Sequence, residues 1–267
     1  MSLLSTGMQQ VIITRPEQDA ASWAGSLEEA GFKVSLFPLL DLSDFMAAPE
    51  AQKACELLLQ SQAVMFVSAN AVRFLHKALA ESTEWLTHFQ QGARAWCTGP
   101  GTAAALKACG IPESQIDQPS SLAAQLDSES LWQVVSGQVT PGMRVLFIRG
   151  ADESGAIAGR DWLAQQLENA QVQVHAVAAY RRLPTLLSPA LQAQASAYVA
   201  QGAVWLFSSS QAWVQLQRLM PQQNWSQARA LATHPRIAQR LLQQGWGRVE
   251  VVPATLAAQV ASIECLA

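Results

Sequence analysis

The side chains of this chain best suited to chemistry recur at one kind of place: just after a short β-branched or aromatic run, and just before a helical one. They are Arg15; Ser68 and Asn70; Gly101 and Thr102; Arg149 and Gly150; Ser208, Ser209 and Ser210; and His234 with Arg236. In an open parallel sheet, ligands bind outside the carboxyl ends of strands, where loops lead into helices. Small residues there let a ligand approach the free N–H groups of a helix N-terminus, whose partial positive charge favours anions. Arginine adds a planar fork suited to bidentate carboxylate or phosphate contacts. The preference for thirteen Arg over four Lys fits that use, and fits codon usage as well. Taken singly, each Ser, Thr or Asn reads as a helix cap. Only the repetition of the pattern turns the set toward an anionic ligand.

The elements that would carry these residues alternate. Strands are expected at 11–14, 63–67, 93–97, near 116, at 145–148, 203–207 and 230–233. Helices are expected at 19–30, 51–60, 71–79, 103–108, 122–135 (capped by Ser120-Ser121) and 161–169, with another after His234-Pro235-Arg236 that Gly245 closes. Such alternation predicts parallel sheets covered on both faces. Two longer extended runs interrupt it. VQVHAVAAYRRLP at 172–184 and VSLFPLLDL at 34–42 exceed an ordinary strand of about five or six residues, and they read as a two-stranded connection between lobes. The plan also repeats: Arg149-Gly150 answers Arg15-Pro16, AVWLF-Ser208 answers AVMFV-Ser68, the turn at His234 answers Gly99-Pro100-Gly101-Thr102, and VVPATLAAQV echoes DQPSSLAAQL. Duplication alone cuts the chain near Gly137, whereas the long crossing runs favour two lobes interleaved in sequence. Two such lobes facing one another would grip a ligand with several carboxylates.

Composition bounds the rest. Half of the 267 residues are hydrophobic, 14% are charged and the net charge is −3 without a basic block. That predicts a folded chain with a large core and no nucleic-acid surface. Cys55, Cys97, Cys109 and Cys265 show no C-x-x-C pair and no zinc-type spacing with His, so reduced thiols are expected. The opening MSLLSTGMQQ lacks the pattern of a signal peptide. No apolar run approaches the ~18 residues of a spanning helix, and a cytoplasmic protein without membrane partners is expected.

In order and spacing, these segments resemble the uroporphyrinogen-III synthases over nearly the whole chain. The resemblance rests on VIITRPEQDAASWAGSLEEAGFKVSLFPLL, VMFVSANAV, GPGTAAALKACGI, VLFIRG with GRDWLAQQL, the extended run through Ala179-Tyr180, and VWLFSSSQAW. It implies two interleaved flavodoxin-like α/β domains: residues 1–37 with 183–267 as one, 42–176 as the other, and a β linker at 38–41 and 177–182. It implies cyclisation of hydroxymethylbilane, with no cofactor and no metal. Ser68, Thr102, Ser208 and Arg15 match positions that contact substrate, and Tyr180 matches the side chain placed nearest the departing hydroxyl. A phenol there could donate a hydrogen bond or a proton, although a strand tyrosine is commonly a packing residue. Arg149 would clamp a carboxylate or pair with an acid such as Asp152. Many members carry threonines in a Gly-Pro-Thr-Thr type turn where this chain has His234-Pro235-Arg236-Ile237, so Arg236 would replace those contacts. A monomer receiving its substrate by transient hand-over from porphobilinogen deaminase completes the expectation.

Two rival readings remain at this point. Gly99-x-Gly101-x-x-Ala104 with Asp117 downstream resembles a dinucleotide fingerprint and would suit a nicotinamide-dependent oxidoreductase. A non-catalytic two-lobed binder of a small anion needs only the strand-end pattern.

Overall fold

The computed structural model describes residues 8–120, 125–157, 162–186 and 188–266. In chain order, β1 (Gln10–Ile13) is followed by α1 (Glu17–Glu29), β2 (Lys33–Leu36), β3 (Leu40–Asp44), α2 (Ala48–Leu59), β4 (Ala63–Phe66), α3 (Ala69–Ala78) and α4 (Glu84–Gln90). Then come β5 (Arg94–Cys97), α5 (Pro100–Ala108), β6 (Ile116–Asp117), α6 (Ser128–Val135), β7 (Arg144–Ala151), α7 (Trp162–Asn169) and β8 (Gln173–Pro184). The last third holds α8 (Pro189–Ala200), β9 (Val204–Phe207), α9 (Ser210–Leu219), β10 (Arg229–Ala232), α10 (Pro235–Gln243), β11 (Arg248–Val251) and α11 (Leu256–Leu266). Glu17 and Asp19 sit in the first turn of α1, where carboxylates meet the helix's positive end. Gly31, at φ 90°, turns the chain out of that helix into β2.

Two compact units share the chain: Met1–Asp41 with Pro184–Ala267, and Leu42–Leu183. The sheet of the first runs β11-β10-β9-β1-β2, and every neighbouring pair is parallel. Counted along that unit's own chain, this is the order 2-1-3-4-5 of flavodoxin-like folds. The second sheet runs β3-β8-β7-β4-β5-β6, parallel from β8 to β6. It repeats the same order with the chain entering at the third strand, so β7, β8, β4, β5 and β6 stand where β1, β2, β9, β10 and β11 stand in the first. β3 is an added edge strand beside β8.

Each unit has its own core, built from the alternation of a strand buried on both faces. Along β9, Trp205 and Phe207 face one apolar cluster while Val204 and Leu206 face another. Along β4, Val64 and Phe66 face one cluster and Ala63 and Met65 the other. Trp205 is the hub of the first unit, its ring edge-on to Phe37, Tyr198, Trp225 and Trp246 at 5.5–6.3 Å.

Several sequence expectations need correction. The run at 34–42 is not one long strand: it is β2 and β3, in different sheets, interrupted at Phe37-Pro38-Leu39. Pro38 has no N–H to continue a ladder, and its ring disfavours regular pairing around it. The helix expected over 122–135 is α6, which begins at Ser128 behind Asp127, whose carboxylate accepts from the Ser130 N–H at 3.0 Å; Ser121 to position 124 lie outside the described residues, as does Asp161. β7 continues through Arg149 and Gly150 instead of ending before them. α4 and α8 were not anticipated. In α8, PALQAQASAYVA spreads small apolar residues all round the helix, so the buried set Ala195, Tyr198 and Val199 does not stand out from the rest.

Candidate active site

In the Leu42–Leu183 unit, Phe66 is in register with both Cys97 and Ile148, so β4 and β5 end together at one edge while β7 runs three residues past it to Ala151. Ser68 is the N-cap of α3, and its Oγ accepts from the Ala71 N–H at 3.1 Å. Tyr180 reaches that edge because the β7–β8 ladder shifts register there. Arg149 pairs with Ala178 but Gly150 pairs with Tyr180, leaving Ala179 as the extra residue of a bulge, which re-aims the side chains after it. The Tyr180 hydroxyl lies 3.2 Å from Ser68 Oγ and accepts from Arg182 Nη2 at 3.0 Å. Its ring stacks on Phe74 with centroids 5.4 Å apart, and the side chain is only 2% exposed. Gly150 lies directly under the ring, where a Cβ would come within 2.5 Å of Tyr180 Cζ.

The other expected residues of this unit divide. Asn70 is buried, and its Oδ1 accepts from Arg73 Nη1 at 3.0 Å, within α3. Gly99 caps α5 with Pro100 at its start; the next residue, Gly101, has nothing within 4 Å of a Cβ position, so that first turn is open. Thr102 is buried, its N–H bonded to the Gly99 carbonyl at 3.1 Å. Arg149 is 4% exposed and lies on the Phe147 ring at 4.7 Å. Asp152, the acid considered as its partner, accepts instead from the hydroxyl and N–H of Ser154 and the N–H of Ala156. Those bonds, the Ser154 hydroxyl first, hold its carboxyl below the usual range.

In the other unit, Ile13 is in register with Leu206, and Leu206 with Leu231, so β1, β9 and β10 also end at one edge. Thr14 Oγ1 donates to the Leu206 carbonyl at 2.7 Å and fixes the turn into Arg15. The Arg15 guanidinium lies 4.2 Å from the Trp23 ring centroid. Burial lowers its pKa, opposed by nearby Asp19; a cation so poorly hydrated gains from an incoming anion. Ser208 is exposed, and Ser209 caps α9 by accepting from the Gln211 N–H at 3.2 Å. Ser210 is the first residue of α9. His234 caps α10, its Nδ1 accepting from the Arg236 N–H at 3.1 Å, while Arg236 is exposed.

Each unit therefore collects its own strand-end residues at one edge, and Ser68, Gly150 and Tyr180 come into direct contact. Arg182 was missed, although its i, i+2 spacing from Tyr180 puts both on one face of a strand. The dinucleotide reading finds its acid already engaged and buried: both Asp117 oxygens accept from Arg94, at 2.8 and 2.5 Å. Burial pushes the Cys97 thiol up to about 11, which favours its protonated form near neutral pH. Among the described residues no helix is long and apolar enough to cross a membrane, and no group of three or more His, Cys, Asp and Glu is placed to hold a metal.

Comparison with known proteins bears on this arrangement. Residues 21–259 match the family profile of uroporphyrinogen-III synthase HemD. A uroporphyrinogen-III synthase of Chlorobaculum parvum (strain DSM 263 / NCIMB 8327) is 28% identical over 154 residues. That match spans 56% of this chain and 56% of the relative, little more than half of either. Among solved structures, a uroporphyrinogen-III synthetase of Helicobacter pylori 26695 superposes with a TM-score of 0.62 at 14% identity, over 97% of this chain and 100% of that one. A mutant uroporphyrinogen III synthase of Thermus thermophilus gives 0.60 at 18%, over 97% and 98%. At those identities the superpositions speak to the fold, two α/β units interleaved in sequence; with the profile match over most of its length, the chain belongs to the uroporphyrinogen-III synthase family.

Proposed function

We propose that the protein is a cyclising lyase that converts hydroxymethylbilane to uroporphyrinogen III in haem biosynthesis, with release of water and inversion of ring D through a spiro intermediate. The observation that carries this is the family match over residues 21–259. The strand-end chemistry supports it. A linear tetrapyrrole bearing an acetate and a propionate on every ring calls for many anion contacts. Arg15, the open first turn at Gly101 and Thr102, Ser208 to Ser210, and His234 with Arg236 supply N–H groups and cations for them. In the Leu42–Leu183 unit, which also holds Gly101 and Thr102, Ser68 and Tyr180 place two hydroxyls together for the departing hydroxyl group, with Asn70, Arg149 and Gly150 forming the same edge. Because the free substrate closes spontaneously to the uninverted isomer, the protein's work is chiefly to hold one conformation and exclude water.

Hydroxymethylbilane generated in situ by porphobilinogen deaminase tests the reading. The oxidised products should contain uroporphyrin III in proportion to this protein; isomer I alone, from folded protein, would overturn the assignment and favour the anion binder. The same reading places the protein in the cytoplasm as a monomer, taking its substrate by brief hand-over from the deaminase. Light scattering of the protein alone tests the monomer, which a stable dimer would contradict. The reaction lag tests the hand-over, and a lag unchanged at rising deaminase concentration would contradict it.

A further inference from the structure

We infer that Arg182 sets the direction of a proton relay in which Ser68, rather than Tyr180, hands the proton to the departing group. This rests on the proposed cyclisation for its chemistry, though not for its wiring. Arg182 Nη2 donates to the Tyr180 oxygen at 3.0 Å, and its guanidinium lies 5.4 Å from the Tyr180 ring centroid. With its oxygen engaged by a cationic donor, the phenol's better remaining option is to donate, and the atom in reach is Ser68 Oγ at 3.2 Å. Ser68 Oγ also accepts from the Ala71 N–H. Both of its lone pairs are then occupied, so its own hydrogen has to be given away. Two hydroxyls carry two hydrogens; one lies between them, and the other points outward from Ser68. Tyr180 is 2% exposed whereas Ser68 is half-buried, so the outward donor belongs to Ser68.

The step balances. As the pyrrole nitrogen pair forms the azafulvenium, the C–O bond breaks with its electrons on oxygen. That oxygen takes the Ser68 proton and leaves as water, while Ser68 takes the Tyr180 proton. A phenolate beside the Arg182 guanidinium then balances the cation on the substrate. The proton shed when the closing ring regains aromaticity returns to Tyr180 by the same path. Ser68 is the catalytic residue; Tyr180 and Arg182 are positioning residues.

Two readouts test this. The chain has two tyrosines, so tyrosine labelled with ¹³C at Cζ gives two resonances that Tyr180→Phe assigns. Without substrate, Arg182→Met and Ser68→Ala should each move the Tyr180 resonance and leave that of Tyr198, bonded to Gln194 at 2.6 Å, in place. A Tyr180 signal indifferent to either change would overturn the wiring, whatever the enzyme does. In the cyclisation assay, Ser68→Ala and Tyr180→Phe should each lower kcat about 10²-fold, within the range for general acid catalysis. The double variant should be no worse than Ser68→Ala, and Arg182→Met should lower kcat about tenfold at unchanged KM, with Arg182→Lys recovering most of it. Normal kcat in Ser68→Ala with loss in Tyr180→Phe would make Tyr180 the direct donor and refute the relay. Equal losses in Arg182→Lys and Arg182→Met would refute the role of the cation. Wild-type protein that makes no isomer III while the resonances move as stated would overturn the proposed function and leave the wiring standing.

Discussion

Ser68 and Ser209 hold the same place in the two units, each capping the helix that follows the middle strand of a 2-1-3-4-5 sheet, yet their surroundings differ. The register fixes the correspondence. Phe66 pairs with Cys97 as Phe207 pairs with Ala232, so Ser68 answers Ser209, one residue beyond the Ser208 that the repeated sequence suggests. Ser209 Oγ bonds its own helix, whereas Ser68 adds Tyr180 and, through it, Arg182. The cause lies in the neighbouring strands. β8 continues past the edge as far as Pro184 and carries the bulge that presents Tyr180. Its counterpart β2 stops at Leu36, before Pro38, and Phe37 turns edge-on to Trp205. One unit spends its aromatic residues on a core, and the other brings one to the edge. A duplicated plan thus yields one edge where a capping serine meets a buried tyrosine and an arginine, and one where the capping serine bonds its own helix.

The largest expected effect separates the two cores. Trp246 is buried and stacks on Trp225 with centroids 4.9 Å apart, and Trp246→Ala should cost about 3–5 kcal/mol. Native-state hydrogen exchange should show that loss in β9 and β10 while β4 and β7 keep their protection; equal loss in both units would erase the distinction. Smaller is the cost of crowding the phenol. Gly150→Ala puts a methyl 2.5 Å from Tyr180 Cζ and should destabilise by about 1–3 kcal/mol. Gly101→Ala, with open space around it, should stay within about 0.5 kcal/mol by denaturant titration. Next, the paired arginines should part company. Arg15→Ala should raise KM about tenfold, roughly 1.4 kcal/mol, with little change in melting temperature. Arg149→Met, at the matching position but buried on Phe147, should chiefly alter stability; the reverse pattern would move the anion contact to the other edge.

The smallest effect is a matter of pH. Burial raises the Cys97 thiol from 9.0 to about 11, so the fold favours the protonated form. Its contribution is complete below about pH 9 and should be lost as pH rises from there toward 11. Cys97→Ala should flatten that alkaline decline in thermal melts. In native protein at pH 8, iodoacetamide should reach exposed Cys265 first and Cys97 only on unfolding.

The sequence showed the alternation of elements, the duplication and the strand-end positions because these rest on local signals: β-branched runs, Gly closures and hydroxyl caps. It showed Tyr180 as a candidate through the length of its strand and the family resemblance. It hid what depends on pairing. The bulge that re-aims Tyr180 is a register shift between strands distant in sequence, and the clash that demands Gly150 exists only once that register is set. Asn70 is a different case, since its amide oxygen bonds Arg73 three residues on within α3, a spacing that the sequence does display. Pro38 was legible and should have split the run at 34–42. Nothing local marks Asp117 as already taken by Arg94.

The most direct test compares the two serines in one experiment, following uroporphyrin III formed from hydroxymethylbilane by wild type, Ser68→Ala and Ser209→Ala at saturating substrate. The account predicts isomer III from wild type, a fall of about 10²-fold in kcat for Ser68→Ala, and a change of no more than about threefold for Ser209→Ala. Equal losses from both serines, or none from Ser68→Ala, would contradict the division of labour between the two edges.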